Sequence, residues 1–240
     1  MKALLNKLLG INAKQANGSI RLAKGAQFSK HASVVLQNCS IQLGKEAVLV
    51  LHENVSLKNY NIHVHSGRLE IGAHTLLLGS ANGGTALNIE NGSLTIANHC
   101  VVKAEFSIRF GGQCSIGEYT GIMEGTEIRC DEWVSIGDFN MISYECFIYD
   151  TNTHCDYSIA ERRKRTMTDF PNIGAEKEKP IAAPVNIGND CWLGKRSVVL
   201  KGVQLGDNST VAACAVLTKS VPAESLVYGN PAVHRAKTKE

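Results

Sequence analysis

Three things are missing or scarce in this sequence: paired cysteines, long apolar runs and a dominant charge. Eight cysteines occur among 240 residues, but no two form a CxxC pair, which argues against a cysteine-based metal cluster. Cys100, Cys146 and Cys191 instead fall at small interior places of a repeat, so the thiols read as reduced core residues, with cytoplasmic residence as the corollary. The stretch Met1 to Gly10 carries Leu4, Leu5, Leu8 and Leu9 broken by Lys2 and Lys7, too short an apolar run for a signal or a membrane span. It reads as a short amphipathic helix that caps the first coil, with peripheral membrane contact as the alternative. A formal net charge of +3 falls short of a nucleic-acid footprint and leaves phosphate-bearing partners open. No nucleic-acid partner is expected.

What is present is a period of six. Ile187, Leu193, Val199, Leu205, Val211 and Leu217 open six consecutive hexads. The fifth place is small, with Cys191, Ser197, Val203, Ser209, Ala215 and Val221, and the second place holds Gly188, Gly194, Gly206 or Ala212 in four of the hexads. Neither an α-helix nor a long strand has this period. It suits a short strand, a tight corner and another short strand, with three sides closing one triangular coil. The aliphatic residue fills the interior, the small fifth residue lets the chain turn, and glycine at the second place is read as supplying the unusual φ/ψ of the corner. Coils then stack by parallel pairing at about 4.8 Å each.

The same grammar recurs upstream at Ile116, Ile122, Ile128, Ile136, Ile142 and Ile148. It continues less regularly through Leu43, Leu49, Val55, Ile71, Leu77, Ile89, Ile96 and Val102. Residues 18 to 221, less one long excursion, therefore provide roughly nine or ten coils of eighteen residues in one domain. The expected layout is an N-terminal helix over 1–17, coils over 18–149, an extruded loop over 150–184, coils over 185–221 and a tail over 222–240. The loop breaks the hexad rule, carries the run Arg162-Arg163-Lys164-Arg165 and ends between Pro180 and Pro184. Irregular segments this long inside compact domains are commonly functional.

At the root of that loop stands Tyr149-Asp150-Thr151-Asn152-Thr153-His154-Cys155-Asp156, followed by Glu161-Arg162-Arg163. The tail carries Ile187-Gly188-Asn189-Asp190-Cys191-Trp192-Leu193-Gly194, then Leu205-Gly206-Asp207-Asn208-Ser209, Thr218-Lys219 and Gly229-Asn230-Pro231-Ala232. From about Ile116 to Ala232 the chain resembles the hexapeptide-repeat acyltransferases of the galactoside, maltose and nodulation-factor type. The resemblance implies an all-β fold, a left-handed parallel β-helix whose hand runs against the usual crossover rule. It also implies a homotrimer, acetyl-CoA as acyl donor, and transfer of acetyl to a hydroxyl of a sugar, surface-polysaccharide unit or lipid-linked glycan.

By the same likeness His154 is the general base. An imidazole, with an unperturbed pKa of about 6.5, suits removal of a hydroxyl proton at cellular pH. Asp150, Glu145 and Asp156 are the candidates for the group that orients its ring. Matching the tail places Gly194, Lys195, Ala213, Thr218 and Lys219 at cofactor-contacting positions, with a thioester oxygen received by a backbone N–H near Gly194 or Lys195. Many relatives carry an arginine directly after the Pro-x or Pro-Ala of the tail, whereas this chain has Val233-His234-Arg235-Ala236-Lys237. The phosphate contact then moves to Arg235 or Lys237, or is lost. The acceptor side is assigned to Glu124 and Asp131, together with Asp150. The basic run is divided between an acidic glycan, the 3′-phosphate of CoA and bulk water.

Competing readings are weaker. Cys155 adjoins His154 on one loop, and neighbouring side chains rarely converge on a reacting centre. His63 and His65 share an outward face, but the chain lacks the His-x4-His pair of the γ-type carbonic anhydrases, and no metal is expected. Asn82-Gly83-Gly84 and Asn91-Gly92 read as turns. A non-catalytic β-helix scaffold and an amino-sugar N-acetyltransferase are the alternative functions; the chain shows no nucleotidyltransferase or Rossmann-like segment of the kind many sugar-nucleotide N-acyltransferases carry.

Overall fold

The computed structural model describes residues 18–82 and 84–238. The helix expected over 1–17 lies outside the described residues. Three parallel sheets of nine, eight and ten strands form the faces of a triangular prism. The first face starts at Ser19–Leu22, the second at Gln27–Lys30 and the third at Val35–Gln37, and the chain visits them in that order. All strand pairings are parallel except the terminal hairpin of Ser225–Gly229 with Ala232–Ala236. The result is a parallel β-helix, consistent with the left-handed coil, whose named strands all run the same way until the last.

Each first-place aliphatic sits directly above its counterpart one coil away. On the second face Ile71 pairs with Ile96, Ile96 with Ile116, Ile116 with Ile136, Ile136 with Ile187 and Ile187 with Leu205. All six are buried in one continuous core. A fully buried Ile contributes about 1.5–3 kcal/mol, less than the cost of ordering six backbone residues at about 1–2 kcal/mol each. A lone coil therefore does not stand by itself, and stability comes from the ladder and core shared with neighbouring coils.

Coil length departs from the expected eighteen. Val198 lies above Val216 with that spacing, but Ser19 pairs with Ser40 and Tyr60 with Thr85. The longer corners of the early coils absorb the difference without disturbing the inward aliphatic register.

The role read for glycine at the second place is corrected. Positive φ occurs at the fourth place instead: His74, His99, Tyr119, Phe139, Asp190 and Asn208 at the corner between the second and third faces all lie at 53–60°. The second-place glycines are required by steric room. A Cβ on Gly188 would come within 2.2 Å of Asp207 Oδ1, and one on Gly137 within 2.4 Å of Asn189 Oδ1. Those side-chain oxygens have a task, because each accepts the N–H of the third-place residue one coil earlier. Glu118 N–H donates to Asp138 at 2.7 Å, Asp138 N–H to Asn189 at 2.8 Å and Asn189 N–H to Asp207 at 2.7 Å. A column of Asx acceptors thus satisfies the corner amides, and glycine leaves space for it.

At the same corner the fourth-place rings stack. His74 lies over His99 at 5.0 Å, His99 over Tyr119 at 4.7 Å and Tyr119 over Phe139 at 5.2 Å, all nearly parallel. Six cysteines, including Cys100, Cys146 and Cys191, are buried free thiols.

Candidate functional site

The excursion is anchored by a closed neck. Thr151 bridges Ala182 antiparallel, Asn152 N–H donates to Ile181 O at 2.9 Å, and Ala183 N–H donates to Asp150 O at 2.8 Å. It emerges from the corner between the first and second faces. Below the neck, Asp150 is fully buried and accepts the N–H groups of Asp131, Glu132 and Trp133 at 2.8, 2.7 and 2.7 Å. Burial pushes its carboxyl above the usual carboxylate range, against the pull of these three donors. Asp150 thus caps the corner of the preceding coil, and among the described residues no hydrogen bond joins it to the His154 ring.

Asp131 is likewise enclosed. Its carboxylate forms a two-pronged pair with Arg109, at 2.9 and 2.8 Å, and accepts the Thr151 hydroxyl at 2.7 Å. All its oxygens are engaged in the interior, which corrects its assignment to the acceptor side. Arg109 also reaches Thr153 O at 3.5 Å. This clamp holds Thr151 and Thr153, on the approach to His154. Thr153 sits at φ +64°, a costly conformation for a β-branched residue, and the turn it makes carries His154 outward from the neck.

Beyond His154 the arm contains one helix, α1, Ile159–Asp169, with Ser158 as N-cap accepting Glu161 N–H at 3.3 Å. The expected charge run is therefore a helical segment. Its sequence signal was the Ser158-x-x-Glu161 spacing of a capping box. Arg165 binds Glu161 at 2.9 Å and Glu178 at 2.8 Å, and lies 3.9 Å over the Tyr157 ring. These contacts tie the outgoing and returning limbs together.

The ring partner of His154 is Glu176, which sequence reasoning missed. His154 Nδ1 lies 2.9 Å from Glu176 Oε1, and Tyr157 OH donates to Glu176 Oε2 at 3.2 Å. The His154 side chain is 57% exposed and that of Glu176 is 8%. Burial of Glu176 opposes its charge, but hydrogen bonds from His154, Tyr157 and the Cys155 backbone outweigh it and hold the carboxyl below its ordinary value. An ionised Glu176 accepts from Nδ1–H, which assigns the tautomer and leaves Nε2 without a hydrogen-bond partner among the described residues. No hydrogen bond joins Asp156 or Glu145 to the ring among the described residues. Arg196 and Lys195 instead pair with Glu145 and hold it ionised. The Cys155 thiol lies 3.7 Å from Glu178 O.

His154 forms one wall of a cavity of about 210 Å³, which Tyr157, Arg162, Arg165, Thr166 and Glu176 also line. Thr218 and Lys219 stand exposed at the same corner of the prism, after the last strand of the first face. Gly194, Lys195 and Ala213 lie at a different corner, between the third and first faces, and Glu124 occupies that corner in a lower coil. Gly194 N–H already donates to Val211 O at 2.8 Å, so of the two amides expected to receive a thioester oxygen only that of Lys195 is free of a partner among the described residues. Arg235 sits on the terminal hairpin strand against the third face. Within one protomer the first face therefore separates His154 from Gly194, Lys195, Ala213 and Glu124. Among the described residues no group of histidine, cysteine and acidic side chains has metal-binding geometry, and no helix is long and apolar enough to cross a membrane.

Residues 184–219 match the family model described as the hexapeptide repeat of succinyl-transferase. A putative acetyltransferase of Staphylococcus aureus strain MRSA252 is 45% identical over 60 residues, 25% of this chain and 28% of that protein. The galactoside O-acetyltransferase of Lactococcus lactis is 27% identical over 144 residues, 59% of this chain and 62% of that protein. The chain thus spans less than two thirds of each of these curated relatives. Among solved structures, the polySia-specific acetyltransferase NeuO superposes with a TM-score of 0.61 at 19% identity, covering 93% of this chain and 88% of that one. At that identity the likeness is one of fold. The six-residue repeats of 184–219 are hexapeptide repeats, and the coiled fold of the chain is that of NeuO.

Proposed function

We propose that the protein is an acetyl-CoA-dependent O-acetyltransferase acting on a hydroxyl of a sugar or glycan, with His154 as general base. The observation that carries this reading is the ring of His154, held at Nδ1 by the buried Glu176 carboxylate just beyond the neck of the arm, beside a cavity. In this mechanism His154 takes the acceptor's proton as the hydroxyl oxygen attacks the thioester carbonyl, and returns it to the departing CoA sulfur. The charge that develops on the carbonyl oxygen is received by the Lys195 N–H. No acyl-enzyme forms. Lys219 and the Arg235 strand carry cations suited to the phosphates of CoA.

The separation of His154 from Lys195 requires that two copies build each site. If the corner of His154 in one copy meets the Lys195 corner of the next, then the second face packs on the third face, and the corner between them lies on the axis of a closed ring. That corner and its two flanking faces carry Tyr119, Phe139, Trp133, Met141 and Trp192, all exposed in the isolated chain. Exposed apolar patches of this kind mark contact surfaces, and a homotrimer covers all three sets at once. The double variant Phe139→Glu, Trp192→Glu is expected to convert a trimer to monomers by light scattering, with acetyl transfer lost in parallel. A wild-type monomer that transfers acetyl at full rate would contradict the shared site.

The direct test is donor binding. Acetyl-CoA at about 100 times its dissociation constant raises folding stability by about 2.7 kcal/mol if it binds only the folded state, read as an upward shift in Tm. A panel of glycans with acetyl-CoA, scored by mass, then reports transfer of acetyl. Absence of both the shift and the mass gain would favour the scaffold reading.

A further inference from the structure

We infer that the acceptor is a glycan bearing a carboxylate, which the guanidinium of Arg162 receives in the cavity beside His154. The inference rests on acetyl transfer at His154. The charged groups around that cavity are matched almost completely. Glu176 is held by His154 and Tyr157, Asp169 by Lys177 at 2.8 Å, and Arg165 by Glu161 and Glu178. Arg162 lines the cavity as well, yet its guanidinium has no carboxylate partner among the described residues. Arg162 is an exposed residue on the cavity wall, and an uncompensated cation at the rim of a concave site attracts an anionic ligand. The planar fork of arginine matches a carboxylate with two parallel N–H donors.

The size of the site limits what enters. A cavity of about 210 Å³ lies below the range of about 300–1,000 Å³ that holds drug-sized ligands, and suits a single sugar unit. The track does not end there. A second concavity on the outer side of α1 is lined by Arg162, Arg163, Thr166 and Met167, so Arg162 and Thr166 border both. Arg163 also lacks a carboxylate partner among the described residues. The two concavities in sequence suit neighbouring units of an acidic polysaccharide, one unit beside His154 and the next along the helix.

The test compares an oligouronate with its carboxyl-reduced, neutral counterpart, using full-length protein. Wild type is expected to favour the anionic acceptor in kcat/KM by about tenfold or more, the effect of one charge-assisted pair. Arg162→Gln should remove most of that preference through KM, and Arg162→Lys should restore part of it. Binding of the oligouronate without donor, followed by calorimetry, should weaken about tenfold in Arg162→Gln. Equal use of the two acceptors by wild type, or binding unchanged by Arg162→Gln, overturns the inference. So does a loss in Arg162→Gln that disappears when 3′-dephospho-acetyl-CoA replaces acetyl-CoA, since the arginine would then serve the donor. Arg162-dependent binding of the oligouronate without transfer to any acceptor would instead defeat the proposed acetyl transfer and leave the anionic subsite standing.

Discussion

His154→Ala is expected to lower acetyl transfer at least about a hundredfold in kcat, the usual contribution of a positioned general base, while the affinity for acetyl-CoA stays nearly the same. The split follows from the architecture. His154 stands on the arm with its side chain more than half exposed, whereas the positions assigned to the donor lie on the coils, at Gly194, Lys195, Ala213, Thr218 and Lys219. Removing the ring therefore takes away proton transfer without removing the donor's contacts. A variant that keeps a tenth or more of wild-type kcat at saturating substrates would show that another group takes the proton. Glu176→Gln sharpens the point, because an amide can present its NH₂ to Nδ1 and favour the opposite tautomer. It should reduce kcat with little change in KM.

Asp150→Ala is expected to be the most destabilising single change considered, about 3–5 kcal/mol by chemical denaturation. It strands the N–H groups of Asp131, buried, and of Glu132 and Trp133, part-buried, which now share one carboxylate, each costing about 1–3 kcal/mol when left without a partner and without water. Asp150→Asn keeps one acceptor oxygen and should lose less. If Asp150 were instead a residue that contacts the acceptor, Asp150→Ala would raise KM and leave the denaturation midpoint in place. That outcome would refute the capping role.

The two residues illustrate how far a sequence can be read. Ile187, Leu193, Val199 and their upstream equivalents declare a solenoid because their constraint is local and repeated: each must point inward at a fixed interval, and the interval survives in the one-dimensional record. The interruption of that record marks the arm, and the likeness of the motif at its root brings His154 forward. The same logic misassigned Asp131 and Asp150. Nearness to His154 in the chain suggests a site, but the neck turns their carboxylates into the corner of the coil, where they meet Arg109 and the Asp131, Glu132 and Trp133 amides.

Glu176 was out of reach for the opposite reason. It returns to His154 only because α1 and the limb after it fold back, a path set by Arg165 bridging Glu161 and Glu178 over Tyr157. Nothing periodic links positions 154 and 176. Glycine at the second hexad place was visible in the sequence, but its cause was not, since the space it leaves is filled by Asp207 or Asn189 from the next coil.

The amino-acid order alone therefore determined the stacked coils, their inward aliphatic columns and the place where they are interrupted, because each depends on short, recurring intervals. Tertiary structure decided which carboxylate meets His154, which acidic groups are locked into the interior and which corner carries each half of the proposed site. Those outcomes depend on contacts between segments distant in the chain, and on the depth to which a corner buries a charge.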